Sequence, residues 1–177
     1  PELAAKGLVD APEAASDALN EKFNAPLHTS HGATLVGVWL VREYAIYVNL
    51  GDSRGYLLQK GKRQIRQITR DHNYAQLLVD AGEITREEAM GHDASYRITR
   101  FAGMRPPASP DVFIERVAPG DQILLCSDGL HGMVWDDEIK ELMRSSRSPQ
   151  HVCEKLIFAA NTCGGDDNIA VVHIRVE

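Results

Sequence analysis

Apolar positions recur at two different periods along this chain of 177 residues. From Ala11 to Phe23, Ala14, Ala18 and Leu19 fall at helical spacing, predicting a helix that ends near Asn24-Ala25-Pro26. Ala33 to Leu40 is dense in Val, Leu and Trp and reads as a strand. In the next run Tyr44, Ile46, Val48 and Leu50 alternate, predicting a strand with one apolar face. A third run occupies residues 55–59 after the turn Gly51-Asp52-Ser53-Arg54, and residues 63–69 alternate again after Lys60-Gly61-Lys62. Four short strands joined by tight turns predict antiparallel pairing, not βαβ units.

The period then lengthens. Ala75, Leu78 and Val79 share one face of a predicted helix that stops at Gly82, and Thr85 with Glu88 has the spacing of a capping box opening a second one. Residues 104–110 contain adjacent prolines and form a loop. Strand patterns resume at 111–117 and, past Pro119-Gly120, at 121–126. Two helices follow, over 135–145 and from a Ser148 cap with Pro149 at its first position, and 168–176 alternates as a last strand. There are no repeats, low-complexity tracts or linkers. The chain reads as one α+β domain over 1–177.

Composition narrows the partners. Apolar residues make up 44% and the net charge is −6, without a basic stripe, which argues against nucleic acid or an anionic membrane as partner. No apolar run is long enough for a membrane span, and no signal-peptide pattern opens the chain. Cys126, Cys153 and Cys163 form no CxxC pair and leave one over, which points to a reducing, cytoplasmic setting. The chain begins at Pro1, so an initiator methionine was removed or the sequence is a piece of something longer.

Three acidic turns carry the candidate chemistry: Gly51-Asp52-Ser53, Ser127-Asp128-Gly129 and Gly164-Gly165-Asp166-Asp167-Asn168. Each sits at a strand end. Taken singly each is an ordinary turn, because Asp and Gly tolerate unusual backbone angles. Converging on one edge, the carboxylates would suit a hard divalent cation. Spacing does not decide whether they converge. Other chemistries lack their patterns. His28 and His31 sit in a loop, His151 and Cys153 read as helix residues, and His72 reads as a turn or cap. Ser127 has no Gly-x-Ser-x-Gly elbow, and there is no Walker A loop or dinucleotide fingerprint.

In this order, HGATLVGVWL, YVNLGDSRGYLL, ITRDHN, LLVDAGEIT, LLCSDGL and GGDDNIAVV resemble the metal-dependent protein Ser/Thr phosphatases, the PPM or type-2C family, over about residues 31–176. The resemblance implies two antiparallel sheets packed face to face and flanked by helices, an αββα sandwich. It implies two or three Mn²⁺ or Mg²⁺ ions and a water that attacks the phosphorus of phosphoserine or phosphothreonine in a protein substrate. By matching motifs, Asp128 and Asp167 are expected as metal ligands, and Asp52 as the aspartate of a third, weaker ion. Asn168 and Gly165 are expected to shape their turn. Residues 72–110 correspond to a flap beside the site, where Arg97, Arg100 and Arg105 could meet acidic or phosphorylated substrate but read first as solvated surface arginines. The oligomeric state stays open.

The chain departs from the family pattern upstream. The family's Asp-Gly motif, with the carboxylate that bridges two metals, has no match: Asp10 and Asp17 are not followed by glycine. No arginine precedes Arg42 to serve as the upstream phosphate-binding arginine. The expectation is a domain truncated at its N-terminus, weakly active or inactive alone, within a phosphatase parent. The alternatives are a pseudophosphatase binding or regulatory module, and a phosphohydrolase acting on small phosphorylated compounds.

Overall fold

The computed structural model describes residue 10, residues 13–24 and residues 31–177. Ala11, Pro12, the expected helix end at Ala25-Pro26, and His28 lie outside the described residues. Residues 13–19 are helical (α1) and run into a π-helical turn, Asn20–Asn24. The side of α1 that is buried carries Ser16, whose Oγ accepts from the Gly103 N–H at 2.7 Å, while Ala14 is exposed. Of the residues expected at helical spacing, Ala18 and Leu19 are half-buried, and the fully buried position is instead the polar tie to the 100–110 loop.

Among the described residues seven strands follow: β1 (Leu35–Val41), β2 (Tyr44–Leu50), β3 (Arg54–Leu58), β4 (Arg66–Gln67), β5 (Asp111–Arg116), β6 (Gln122–Cys126) and β7 (Val171–Arg175). They form two antiparallel sheets, ordered β1-β2-β5 and β4-β3-β6-β7. The sheets are flanked by helices, as expected: α2 (Tyr74–Asp80), α3 (Arg86–Ala89), α4 (Asp128–His131), α5 (Asp136–Arg144) and α6 (Pro149–Thr162).

The apolar runs are explained by two layers of core. Ala45, Tyr47, Leu57, Val117 and Ile123 pack between the sheets. Their neighbours Tyr56, Leu58, Leu124 and Cys126 point the other way, onto Leu130, Ile139, Met143, Val152 and Leu156 of the helical layer. Past their polar first residues, β3 and β6 are therefore apolar on both faces, over Tyr56–Leu58 and Ile123–Cys126, because both faces are covered. The same holds for β2. One apolar face was expected there, yet Ala45 to Leu50 are all buried, because β2 lies between β1 and β5 and packs its odd-numbered face on the second sheet. The alternation over 63–69 yields only the two-residue β4. The N–H groups of Ile68 and Thr69 both reach the Gly55 carbonyl, at 2.8 and 3.4 Å, so the ladder closes there.

Caps follow the sequence closely. Thr85 and Glu88 form the full capping box of α3, and Ser148 accepts from His151 N–H at the start of α6. Past α2, Gly82 takes φ +72° while its N–H and that of Glu83 bond to the Val79 and Leu78 carbonyls, a Schellman ending.

Candidate active site

Sheet register brings the three acidic turns together. Arg54 pairs with Cys126, and Cys126 pairs with Val171, so the start of β3, the end of β6 and the start of β7 lie level across one sheet edge. Asp52 stands two residues before β3 and Asp128 two residues after β6, and the loop before β7 carries Asp166 and Asp167. All four line one cavity of about 240 Å³. The Gly51-Asp52-Ser53 turn is no hairpin: it carries the chain from one sheet to the other, which sets Asp52 at the mouth between them.

Each turn is held by its neighbours. Ser127 Oγ donates to the Asn168 carbonyl at 3.2 Å and accepts from Ala170 N–H at 3.0 Å, stitching the Asp128 turn to the Asp167 loop. Gly129 packs on the same carbonyl. Asp128 Oδ1 accepts from the Gly129 N–H, and Asp167 Oδ1 from the Asn168 N–H. Buried His131 on α4 donates through Nε2 to the Asp52 carbonyl at 3.0 Å. Burial first, then the charge of Arg54, pushes its pKa down to about 4, so it is the neutral imidazole that holds the turn.

His72 fixes the other side of the Asp52 turn. Gly51 N–H donates to His72 Nδ1 at 3.0 Å, and His72 Nε2 donates to Asp111 Oδ2 at 3.0 Å. Arg100 lies 2.9 Å from the same ring nitrogen and donates to Asp111 Oδ1 at 2.9 Å. Arg100 is therefore a half-buried brace, not a solvated arginine. Arg97 stacks its guanidinium 4.5 Å from the Tyr74 ring centroid, and Arg105 reaches the Asn20 carbonyl at 3.4 Å.

The electrostatics of the cavity are uneven. Asp71 on its wall is neutralised by Arg54, which approaches at 2.7 Å, and also accepts from Gln67. Asp52 has no such partner. It is 5% exposed, and burial, with the Asp128 charge next, pushes its carboxyl up to about 7. Carboxylates that share one cavity and raise each other's electrostatic cost are the complement of a positive ion. The donors fit a hard divalent cation in kind, since all are carboxylate oxygens. They fall short in number: among the described residues no three His, Cys, Asp or Glu side chains form a cluster able to hold a metal ion. Asp52, Asp128 and Asp167 thus line the same cavity without closing a coordination shell by themselves.

A serine/threonine phosphatase, Stp, from Listeria welshimeri is 38% identical over 144 residues, covering 81% of this chain and 56% of its own length. The chain spans about half the length of the curated relatives it matches. The solved PPM Ser-Thr phosphatase MsPP from Mycobacterium smegmatis, in complex with cacodylate, superposes with a TM-score of 0.82 at 35% identity, over 93% of this chain and 71% of that one. The chain belongs to the PPM serine/threonine phosphatase family. A further PPM neighbour, the catalytic domain of the serine/threonine protein phosphatase PstP in complex with 2 manganese ions, matches at TM-score 0.76 and 33% identity, over 94% of this chain and 67% of that one. No family model matches the chain.

In this PPM chain the opposite wall of the cavity comes from residues 73–96. Asn73, Gln76 and Val79 of the α2 region, Arg86 and Met90 around α3, and Tyr96 face the acidic turns. Residue-by-residue reading passed over the supports. Ser127 appeared only as a rejected nucleophile and His72 only as a turn residue. The one local signal was polarity beside a strand end, which the surrounding turn chemistry hides.

Proposed function

We propose that this chain carries the acidic side of a metal-dependent phosphoserine/phosphothreonine phosphatase centre. The observation that carries this reading is the convergence of Asp52, Asp128 and Asp167 on one cavity in a PPM chain. Asp128 and Asp167 are the ligands of a Mn²⁺ or Mg²⁺ pair, and Asp52 serves a third, weaker ion. Manganese is favoured by the PstP catalytic domain, which was solved with 2 manganese ions. When bound, such cations polarise water toward hydroxide near neutral pH and offset the charge on the phosphoryl group.

The protein's own part is to hold and shape. His131 and His72 pin the Asp52 turn from two sides, and Ser127 keeps the Asp128 and Asp167 loops in contact. Arg54 cancels the charge of Asp71, so that the excess negative charge sits at the three turn aspartates. The wall from 73 to 96 acts as the flap that meets the phosphoprotein, with exposed Arg86 available to an acidic segment. The partners are phosphorylated proteins in signalling, in the cytoplasm. Free Cys126, Cys153 and Cys163 agree with that compartment, and no helix among the described residues is long and apolar enough to cross a membrane.

The 177 residues alone turn over weakly, since their described side chains build no three-ligand cluster. That shortfall also favours the second reading, a module that binds phosphoprotein without hydrolysing it. One experiment separates them. A phosphothreonine peptide is offered to the protein in its full-length form and to this chain, with Mn²⁺ and then with chelator, beside Asp128→Ala. Metal-dependent turnover by the full-length form, abolished in the variant, establishes the phosphatase. A folded full-length protein that binds the peptide and never releases phosphate establishes the module.

A further inference from the structure

At the end of β6 opposite Asp128, a second cavity of about 450 Å³ opens between the β3–β4 turn, the start of β6, the end of β7 and the α5–α6 connection. β6 is 5 residues long, which separates the two cavities by roughly 17 Å at the usual strand rise. Among the described residues the walls carry Lys60, Arg144, Arg147 and Arg175 and not one carboxylate, in a chain of net charge −6. A chance surface of so acidic a protein would mix signs. Four cations around one concavity repel one another, and a bound anion relieves that repulsion.

The protein supplies little of that anion itself. Among the described residues Arg144 has a single carboxylate neighbour, Glu141 at 3.8 Å, and Lys60, Arg147 and Arg175 have none. The nearby Asp121 is spent on backbone: its oxygens accept from the N–H groups of Lys60 and Ala118. Two of the arginines are nevertheless held in place. Arg144 donates to the Lys62 carbonyl, and Arg175 to the Ser146 carbonyl at 3.0 Å. Arg175 keeps its Nε buried and without a partner beside Gln122, which His173 anchors at 3.0 Å. Pre-positioned guanidinium groups with unused donors are what binding a tetrahedral oxyanion requires.

We propose that this basic cavity is a binding site for a small phosphate-bearing anion, separate from the acidic centre. Its volume suits a ligand between pyrophosphate and a nucleotide in size. The overall negative charge disfavours an extended polyanion such as nucleic acid or a membrane surface. Three arginines to one lysine favour phosphate over carboxylate, because the planar fork matches paired phosphate oxygens.

The test is titration calorimetry of the 177-residue chain with pyrophosphate in excess EDTA, which removes the acidic centre's cations from consideration. Sulfate at matched ionic strength and ATP are run as separate arms. Saturable one-site binding is expected, weakened about tenfold or more in Arg144→Ala/Arg147→Ala and unchanged in Asp128→Ala. Tighter binding of ATP than pyrophosphate identifies a nucleotide as the ligand class, and the reverse identifies an oligophosphate. Among the described residues, exposed Arg147 has no side-chain hydrogen bond or ion pair, so Arg147→Glu alone serves should the double variant fail to fold. Absent binding, equal binding by the arginine variants, an equal response to sulfate, or loss with Asp128→Ala would each overturn the assignment.

Discussion

The backbone of Gly129 packs directly on the carbonyl of Asn168: a β-carbon built at Gly129 would lie 2.4 Å from that oxygen. Alanine in a helix ordinarily gains up to about 1 kcal/mol over glycine. Here the clash is with backbone, which cannot rotate away, so the sign reverses. Gly129→Ala should destabilise the fold by about 1–3 kcal/mol and push the Asp128 and Asp167 loops apart. Denaturant unfolding checks the first effect and Mn²⁺ titration the second. A variant as stable as the parent would refute the close approach.

Asp52 and Asp128 line one cavity, and burial first, then the charge of Asp128, raises the Asp52 carboxyl. Its folded pKa, about 7, lies above its ordinary 3.8, so its contribution to stability is full at low pH and is lost as pH rises through 7. In EDTA at pH 8, Asp52→Asn should therefore be more stable than the parent by roughly 1–2 kcal/mol, with the advantage shrinking as pH falls and vanishing below about pH 4. The same change should weaken Mn²⁺ binding. Paired thermal melts at the two pH values, with and without Mn²⁺, test both halves. A variant less stable than the parent at pH 8 would show that Asp52 is not the repelled group.

How much of this was legible in the chain depends on the range of the interaction. The caps at Thr85 and Ser148 and the stop at Gly82 are local, and the structure has them as read. The antiparallel sheets were legible because apolar runs and turns alternate. What failed was the exposure of β2, since burial of its second face depends on strands far away in sequence. Asp52, Asp128 and Asp167 were singled out by family motif, and their meeting rests on the β3–β6–β7 register, which no local pattern encodes. Arg100 was misread for the same reason. Its partners His72 and Asp111 come from either side of the flap, so a residue that looks solvated along the chain is braced in space.

His173 predicts an opposite pH response. Buried in β7, its imidazole is pushed from the ordinary 6.5 down to about 4, by burial first and the Arg175 charge second. A lowered histidine pKa gives stability that is present above about 6.5 and lost as pH falls toward 4, because the unfolded chain takes up the proton first. The stability difference between parent and His173→Gln should then change across that window by up to ~1.4 kcal/mol per pH unit. Glutamine keeps a donor for Gln122 without the titration. Urea unfolding of both proteins at several pH values reads the difference, which also cancels the contribution of His131. Parallel curves would contradict it.

Arg54 and Asp71 form a two-toothed pair, with Arg54 Nε at 3.0 Å from both Asp71 oxygens and a second nitrogen at 2.7 Å. Asp71 is 4% exposed at its side chain, so removing the arginine leaves a buried charge that, among the described residues, only Gln67 satisfies. Arg54→Met should cost about 3–5 kcal/mol, well beyond what an exposed pair would cost. Arg54 also donates to Tyr56 Oη, which in turn donates to Asp136, so part of the loss is a broken chain of hydrogen bonds. A double-mutant cycle separates the two. Arg54→Met/Asp71→Asn should recover a good share of the loss if the stranded carboxylate dominates, and little if the Tyr56 network does. The charge term should win, because Tyr56 can still donate to Asp136 without its arginine, while Asp71 has no second cation within reach among the described residues. That outcome would also explain why, of the aspartates lining the acidic cavity, Asp71 alone carries a matched guanidinium: paired, it leaves the site's negative charge at the three turns where a cation would sit.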